Sequence, residues 1–329
     1  MMLSTAPTPG SAVPGPPAHR RSRFRRWVAP GLTLTLIGAS LALDVGTLFI
    51  LPVLFVLIVP FEKLFPRHRG QRVRRPEMRT DMSHALAAPV LNIAGVAVAI
   101  FVGLVSLAWI PGLVIRPLVA LIPSVALPLV GIALFDMTIY WVHRWSHEVP
   151  FLWRFHAVHH STKTLDWVSG FRNHPFDGAI LAPPFVFLLA AGFSAEFTGV
   201  LAIVQIVTGL FLHANVRWRW RPLHRIVITP EFHHWHHANE VDAHNSNYSV
   251  FLPLWDIVFK TYYMPRNKRP LVYGISEDMP DGLVPQLLEP LRGMGNPLRV
   301  VRHPFRSLRG GWRFTRHLCR DIWVSTTHP

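Results

Sequence analysis

The sequence contains a single cysteine, Cys319, among 329 residues. One thiol excludes an intramolecular disulfide framework, and it excludes a cysteine-rich zinc or iron–sulfur site as well. Charged residues are also scarce, because Asp, Glu, Lys and Arg make up only 16% of the chain, whereas roughly 25% is usual in soluble proteins. Apolar side chains account for 50% of the residues. These shortages argue against a soluble globular enzyme and favour a membrane protein.

Acidic residues are the scarcer of the two charge types. The chain has 18 of them against 33 lysines and arginines, which gives a formal net charge of +15. Such an excess predicts a nucleic acid or an anionic membrane surface as partner. The sequence contains no recognised nucleic-acid-binding motif, and its long apolar stretches favour the membrane surface. We therefore expect no nucleic acid partner.

The first apolar stretch follows a polar and basic start. Residues 1–26 combine a Pro-, Gly- and Ser-rich segment with five arginines, which predicts a disordered basic N-terminal arm; a signal peptide is the less favoured interpretation. The stretch from Val28 to Phe61 would be ~50 Å long as one helix, although a bilayer core needs only ~30 Å. Asp44 and Gly46 interrupt this stretch. We therefore predict a hairpin of two short helices rather than one long tilted helix.

Three further apolar stretches, at residues 82–115, 117–135 and 178–212, predict a multi-pass integral membrane protein. The alternative is that several of them are merely buried. Arginines cluster before residue 27 and again at 63–79, and the positive-inside rule puts both segments in the cytoplasm. Every histidine-dense segment then falls on the cytoplasmic side. Residues 27–129 are accordingly an N-terminal transmembrane region, and 266–329 are a basic C-terminal tail that suits an anionic membrane surface.

Histidine is unusually frequent, with 19 residues, of which 13 lie between His143 and His244. Three clusters have the spacing H-x3-H or H-x2-H-H, and residues three and four apart share one helix face. At roughly three or four protein ligands per ion, the count favours two metal ions over one. Core or surface histidines are the weaker alternative, because all three clusters lie at the cytoplasmic ends of apolar spans. The eight clustered histidines are His143, His147, His156, His159, His160, His233, His236 and His237.

Two carboxylates lie close to the first cluster in the sequence. Glu148 directly follows His147, and Asp136 lies two helical turns before His143. We predict both as candidate catalytic residues that support a histidine ligand through a hydrogen bond. A solvated carboxylate at the membrane interface is the alternative for Glu148.

The sequence resembles the fatty acid hydroxylase/sterol desaturase superfamily of integral-membrane non-haem di-iron oxygenases. The resemblance lies in the three histidine clusters and in the segments Arg172-Asn173-His174-Pro175, Leu212-His213-Ala214-Asn215 and Asn247-Tyr248. The resemblance covers residues 130–265, as a fatty acid hydroxylase-like domain with histidine boxes. It implies an all-α fold, a polytopic membrane helical bundle with a cytoplasmic histidine-rich di-metal helical cap. It also implies that the eight clustered histidines are metal ligands and that His213 is a ninth. Arg217 stands where a fuller box has a histidine, and His234 is an extra one.

The resemblance implies O2-dependent oxidation of a membrane lipid, by hydroxylation or desaturation, at a di-iron centre. The lipid class stays open among sterols, fatty acyl chains and ether lipids. Two Fe ions, O2 as co-substrate and an external electron donor are implied. No dinucleotide fingerprint, haem motif or four-cysteine cluster occurs in the chain, so a separate reductase, ferredoxin or cytochrome has to supply the electrons. The alternative is a histidine-rich membrane metal transporter or metal-binding protein, for which ligands near the middle of the bilayer would be expected.

Overall fold

The computed structural model describes residues 28–43, 46–180, 182–217, 221–294 and 304–327. Within these ranges the regular structure is helical, and extended pairing is limited to two isolated bridges, Pro66 with Val216 and Ala238 with Tyr273. The all-α class is therefore confirmed. The predicted disordered arm, residues 1–26, lies outside the described residues.

Four helices form the N-terminal region: α1 at Ala29–Leu43, α2 at Gly46–Leu64, α3 at Met78–Val105 and α4 at Trp109–Val119. The first apolar stretch thus holds two helices, as predicted, and both pack against α3. Helix α3 and a later helix, α9 at Ala195–His213, are long and apolar enough to cross a membrane. These two helices support membrane association. The multi-pass topology and the cytoplasmic orientation stay predictions.

The remaining helices are α5 to α13. They comprise α5 at Leu127–Glu148, α6 at Pro150–His160, α7 at Pro175–Ile180, α8 at Ala182–Ala191, α9, α10 at Pro230–His236, α11 at Leu254–Val258, α12 at Leu283–Leu288 and α13 at Pro304–Thr327. The predicted span at 117–135 is not one helix, because α4 ends at Val119 and α5 begins at Leu127, and Pro123 lies between them.

Helix α5 is held against α8 and α9 by an apolar core that includes Phe135, Ile139 and Leu188. A glycine allows the close approach: a Cβ atom at Gly131 would lie 2.6 Å from the ring of Phe197. Helix α5 ends at Glu148, and Pro150 opens α6 after one extended residue. Proline suits the first turn of a helix, where its missing N–H would have no partner. This sharp turn places two histidine-bearing helices side by side.

A buried ionic network fixes the segment that follows α6. Arg75 donates to both oxygens of Asp166, at 2.7 and 2.8 Å, and also pairs with Asp81. Arg172 donates through Nε to Asp81 at 2.6 Å. All four side chains are almost fully buried. Because an uncompensated buried charge costs about 3–5 kcal/mol, this network ties residues 166–172 firmly to α3.

Candidate metal centre

The predicted histidines converge in two adjoining groups. The first group has five histidines and the second has four, and the candidate ligand atoms within each group lie within 4.8 Å of one another. The first group is His143, His147, His156, His160 and His236, and the second is His159, His213, His233 and His237. The structure therefore brings together all nine residues that the sequence proposed as ligands.

Each H-x2-H-H cluster contributes to both groups. In α6, His156 and His160 belong to the first group and His159 to the second. At the end of α10 the division is reversed, because His236 belongs to the first group, and His233 and His237 to the second. The shared helix face predicts that each cluster aims its imidazoles in one direction, which holds for His143 and His147 but is wrong for the two H-x2-H-H clusters. The two helices instead bridge the groups.

The nitrogen atoms in each group have the separations expected of ligands on a shared ion. The Nε2 atom of His213 lies 3.2 Å from that of His159 and 3.2 Å from that of His233. In the first group, Nε2 of His156 lies 3.2 Å from that of His143 and 3.1 Å from that of His160. A metal–nitrogen bond of roughly 2.1 Å places neighbouring ligand nitrogens about 3.0–3.4 Å apart.

A hydrogen bond at the other ring nitrogen, Nδ1, determines which of the two nitrogens carries the proton. Carbonyl and carboxylate oxygens accept hydrogen bonds, so an Nδ1 beside one of them donates, and Nε2 keeps its lone pair. Five rings are held in this way at 2.6–3.1 Å: His143 by the carbonyl oxygen of Tyr248, His156 by Asp177, His159 by the carbonyl of Arg172, His213 by that of Gly209 and His236 by that of Ser246.

This arrangement directs lone pairs at one another. In the pair His143–His156 and in the pair His159–His213, both Nε2 atoms are acceptors, yet they lie only 3.2 Å apart. Two lone pairs at that distance repel unless a cation lies between them. The Nε2 atoms of His147 and His236 are buried with no hydrogen-bond partner among the described residues. The donor set therefore fits metal ions, for which neutral imidazole is a suitable ligand.

Burial keeps the imidazoles in the neutral form that binds metals. Desolvation lowers the pKa of His160, His233, His236 and His237 well below the usual value for histidine, and the neighbouring imidazoles lower it further. The same two causes lower the pKa of His159.

A family model for fatty acid hydroxylases matches residues 128–261. Residues 128–261 are therefore similar to the fatty acid hydroxylase family. The matched segment contains all nine histidines of the two groups, and the superfamily resemblance seen in the sequence is confirmed.

Proteins similar to this chain include ornithine lipid hydroxylase OlsE of Rhizobium tropici, which is 29% identical over 259 residues, covering 75% of this chain and 76% of the relative. Alkylglycerol monooxygenase of Danio rerio is 28% identical over 144 residues, covering 43% of this chain and 31% of the relative. A very-long-chain aldehyde decarbonylase, GL1-7 of Oryza sativa subsp. japonica, is 29% identical over 139 residues, covering 37% and 21%. The chain thus spans less than a third of the last two relatives. No solved structure matches it.

Among the described residues Asp136 forms no hydrogen bond to a histidine, contrary to the prediction. Its carboxylate accepts hydrogen bonds from the backbone N–H groups of Val250, Phe251 and Leu252, each at 2.9 Å. The reason is that the chain after Tyr248 folds back onto α5 at this turn. Asp136 fixes this loop next to the carbonyl oxygen that holds His143.

Glu148 also has partners other than a histidine. Its Oε1 accepts from Arg144 at 2.9 Å and from the hydroxyl of Tyr248 at 3.2 Å, and its Oε2 accepts from Ser325 at 2.6 Å. The ring of Tyr248 packs against His147, with centroids 5.3 Å apart. Glu148 therefore supports the first group through Tyr248, and it is not the solvated carboxylate of the alternative interpretation.

Sequence reasoning missed Asp177 as a partner of the first group. Its Oδ1 lies 2.9 Å from Nδ1 of His156, and both side chains are buried. The available signal was an acid three residues after His174, close to the Arg172-Asn173-His174-Pro175 motif. His174 instead donates to the carbonyl oxygen of Leu287, and His234 bonds to the carbonyl of Ala214. Neither histidine belongs to the two groups.

A polar pocket of about 250 Å³ opens onto the first group. It reaches His147, His160 and His236, and its outer part is polar. This pocket gives the first group contact with the aqueous surface. The outer lining includes Asn239, His244, Asn245, Ser276 and Glu277.

Proposed function

We propose that this chain catalyses the O2-dependent oxidation of a membrane lipid, by hydroxylation or desaturation, at two iron ions. The observation that carries the proposal is the pair of adjoining histidine groups whose Nε2 lone pairs face one another. The names of the relatives, a lipid hydroxylase, a monooxygenase and an aldehyde decarbonylase, support lipid oxidation.

One ion would be held by the five histidines of the first group and the other by the four of the second. Iron with O2 supplies the oxidising power for an unactivated C–H bond, which side chains alone do not have. The chain's own contribution is to orient the rings. Backbone carbonyls and Asp177 hold Nδ1, which keeps each proton away from the ligand atom and strengthens Nε2 as a donor.

The chain would span the membrane several times, with both histidine groups at the cytoplasmic face. The exposed apolar surfaces of α3 and α9 support this arrangement, for example Phe101 and Ile203, each with 65% of its surface exposed. Residues 27–129 would be the membrane region and 130–265 the catalytic domain. A reporter fused after Pro329 should be active in the cytoplasm, and activity only on the outside would contradict the orientation.

Helix α13 would lie on an anionic membrane surface. Trp312 and Trp323 are 71% and 67% exposed on one stripe of the helix, and Arg313, Arg316 and Arg320 lie beside that stripe. Interfacial helices combine aromatic and basic residues in this way. Helix α13 also contacts the histidine-bearing helices, because Thr326 accepts a hydrogen bond from Trp145 and Phe314 packs on Phe151.

The experiment uses the full chain, purified in detergent, loaded with iron and reconstituted with total membrane lipid, an electron donor and 18O2. We expect two irons per chain and a lipid product that gains one 18O atom if the reaction is hydroxylation, or loses two hydrogens if it is desaturation. His236→Ala should abolish the product, whereas His317→Ala, an exposed histidine on α13, should not. A protein that binds two irons but leaves every lipid unchanged would contradict the proposal.

A further inference from the structure

An apolar cavity of about 410 Å³ lies between α2, α3 and the 3-10 segment Trp167–Phe171. Its volume is within the roughly 300–1,000 Å³ typical of small-molecule sites. No member of the two histidine groups lines it. The apolar walls are formed by Leu51, Pro52, Phe55, Val59, Met78, Met82, Trp167 and Val168.

One end of the cavity is basic. Lys63, at the end of α2, and Arg72, in the loop before α3, both line this end. Lys63 donates to the backbone carbonyl oxygen of Gln71 at 3.3 Å, which holds the helix end and the loop together at the mouth. Both cations are exposed, and neither forms an ion pair among the residues that the structure describes.

The carboxylates beside these cations are engaged elsewhere. Oε1 of Glu62 accepts the backbone N–H groups of Trp167 and Asn215, at 3.2 and 2.9 Å. Asp166 is paired with Arg75 at 2.7 Å. The mouth therefore offers the exposed ammonium of Lys63 and the exposed guanidinium of Arg72 next to a long apolar wall.

The cavity is separate from the metal centre but lies close to it. The segment Trp167–Phe171 turns Trp167 and Val168 towards the cavity. On its other side, a Cβ atom at Gly170 would lie 3.2 Å from Nδ1 of His213. A single 3-10 segment thus separates the cavity from the second histidine group.

We propose that this cavity binds a membrane phospholipid with an anionic headgroup, with an acyl chain along α2 and α3 and the headgroup at Lys63 and Arg72. In a zwitterionic lipid the cationic group of the headgroup balances the phosphate of the same molecule, so the positive charges of Lys63 and Arg72 would stay uncompensated. A free anion fills none of the apolar wall. The lipid in this cavity touches no histidine, so it is a second lipid, distinct from the one that is oxidised.

The test compares two double variants that remove the same charge. Lys63→Ala with Arg72→Ala changes the cavity mouth, whereas Arg69→Ala with Arg74→Ala changes exposed arginines of the same loop that do not line the cavity. Each full-length protein is equilibrated in detergent with equal amounts of phosphatidylglycerol and phosphatidylcholine, and the retained lipid is counted by native mass spectrometry. Retained metal content serves as the folding control and does not depend on lipid oxidation.

We expect the wild type and the Arg69/Arg74 variant to retain phosphatidylglycerol at least fivefold over phosphatidylcholine, and the Lys63/Arg72 variant to lose this preference. Val59→Trp, which fills the cavity, should reduce retention of both lipids. Equal loss of preference in the two double variants would overturn the proposal, because it would show unspecific attraction by the loop. Displacement of the lipid by inorganic phosphate alone would overturn it as well. Absence of lipid oxidation would contradict only the proposed function.

Discussion

Asp177 gives the sharpest test of how the first histidine group is held. It is the carboxylate among the five Nδ1 acceptors, the other four being backbone carbonyls. Asp177→Asn keeps the shape and an acceptor oxygen but removes the charge. A hydrogen bond to a charged group contributes about 1.5–3 kcal/mol, and one between neutral groups about 0.5–1.5 kcal/mol. The difference of about 1–1.5 kcal/mol predicts roughly five- to twelvefold weaker metal retention.

Asp177→Ala removes the acceptor altogether. Loss of such an outer partner typically weakens metal binding 10–100-fold, so the alanine variant should retain metal more weakly than the asparagine variant. The second group does not contact Asp177, so we expect one ion to be released early and the other to be retained as in the wild type.

The assay is dialysis of the iron-loaded protein against graded chelator, with metal content measured at each step. Asp242→Asn is the matched control, because Asp242 is exposed and only 3.8 Å from a surface lysine, Lys268. Release of metal from Asp177→Asn at the same chelator concentration as from the wild type would refute this role of Asp177. A shift of equal size in the Asp242 variant would refute it too.

Three further predictions concern the groups and α13. His236→Ala and His237→Ala should each lower the bound metal from two ions to one, since they remove ligands from different groups; metal analysis would contradict the division into two groups if either variant kept both ions. His213→Ala should lose metal to the same extent as His237→Ala, and full metal content would make His213 structural. Backbone amides of residues 304–327 should exchange hydrogen more slowly in anionic than in zwitterionic bilayers, and Arg316→Gln should reduce that difference; equal exchange in both bilayers would exclude an electrostatic contact.

The sequence was sufficient to find the nine histidines that converge but not to divide them into two groups. Successive helical residues turn by about 100°, so residue i+3 lies about 60° to one side of residue i and residue i+4 about 40° to the other. His159 and His160 therefore point 100° apart, and an H-x2-H-H cluster can serve two ions at once. Which ion each ring serves depends on the helix that packs opposite, and spacing alone contains no such information.

The roles of the carboxylates were harder to predict for the same reason. Asp136 lies on a similar face of α5 to His143, which suggested a direct contact, but its partners are backbone N–H groups more than a hundred residues later. Asp177 was overlooked because its partner, His156, lies 21 residues earlier in another helix. Contacts between distant segments follow from tertiary packing, whereas the helices and their histidine faces follow from local periodicity.

The bond between His143 and the carbonyl oxygen of Tyr248 joins positions 105 residues apart. His143 is thus made early, but the oxygen that orients its ring is made only after every other histidine of the two groups. A nascent chain that ends at His237 contains all nine histidines. It does not yet contain the carbonyl groups of Ser246 and Tyr248, which accept hydrogen bonds from His236 and His143. The proposed metal ions would therefore meet a fully oriented set of rings only after Tyr248 has been added to the chain.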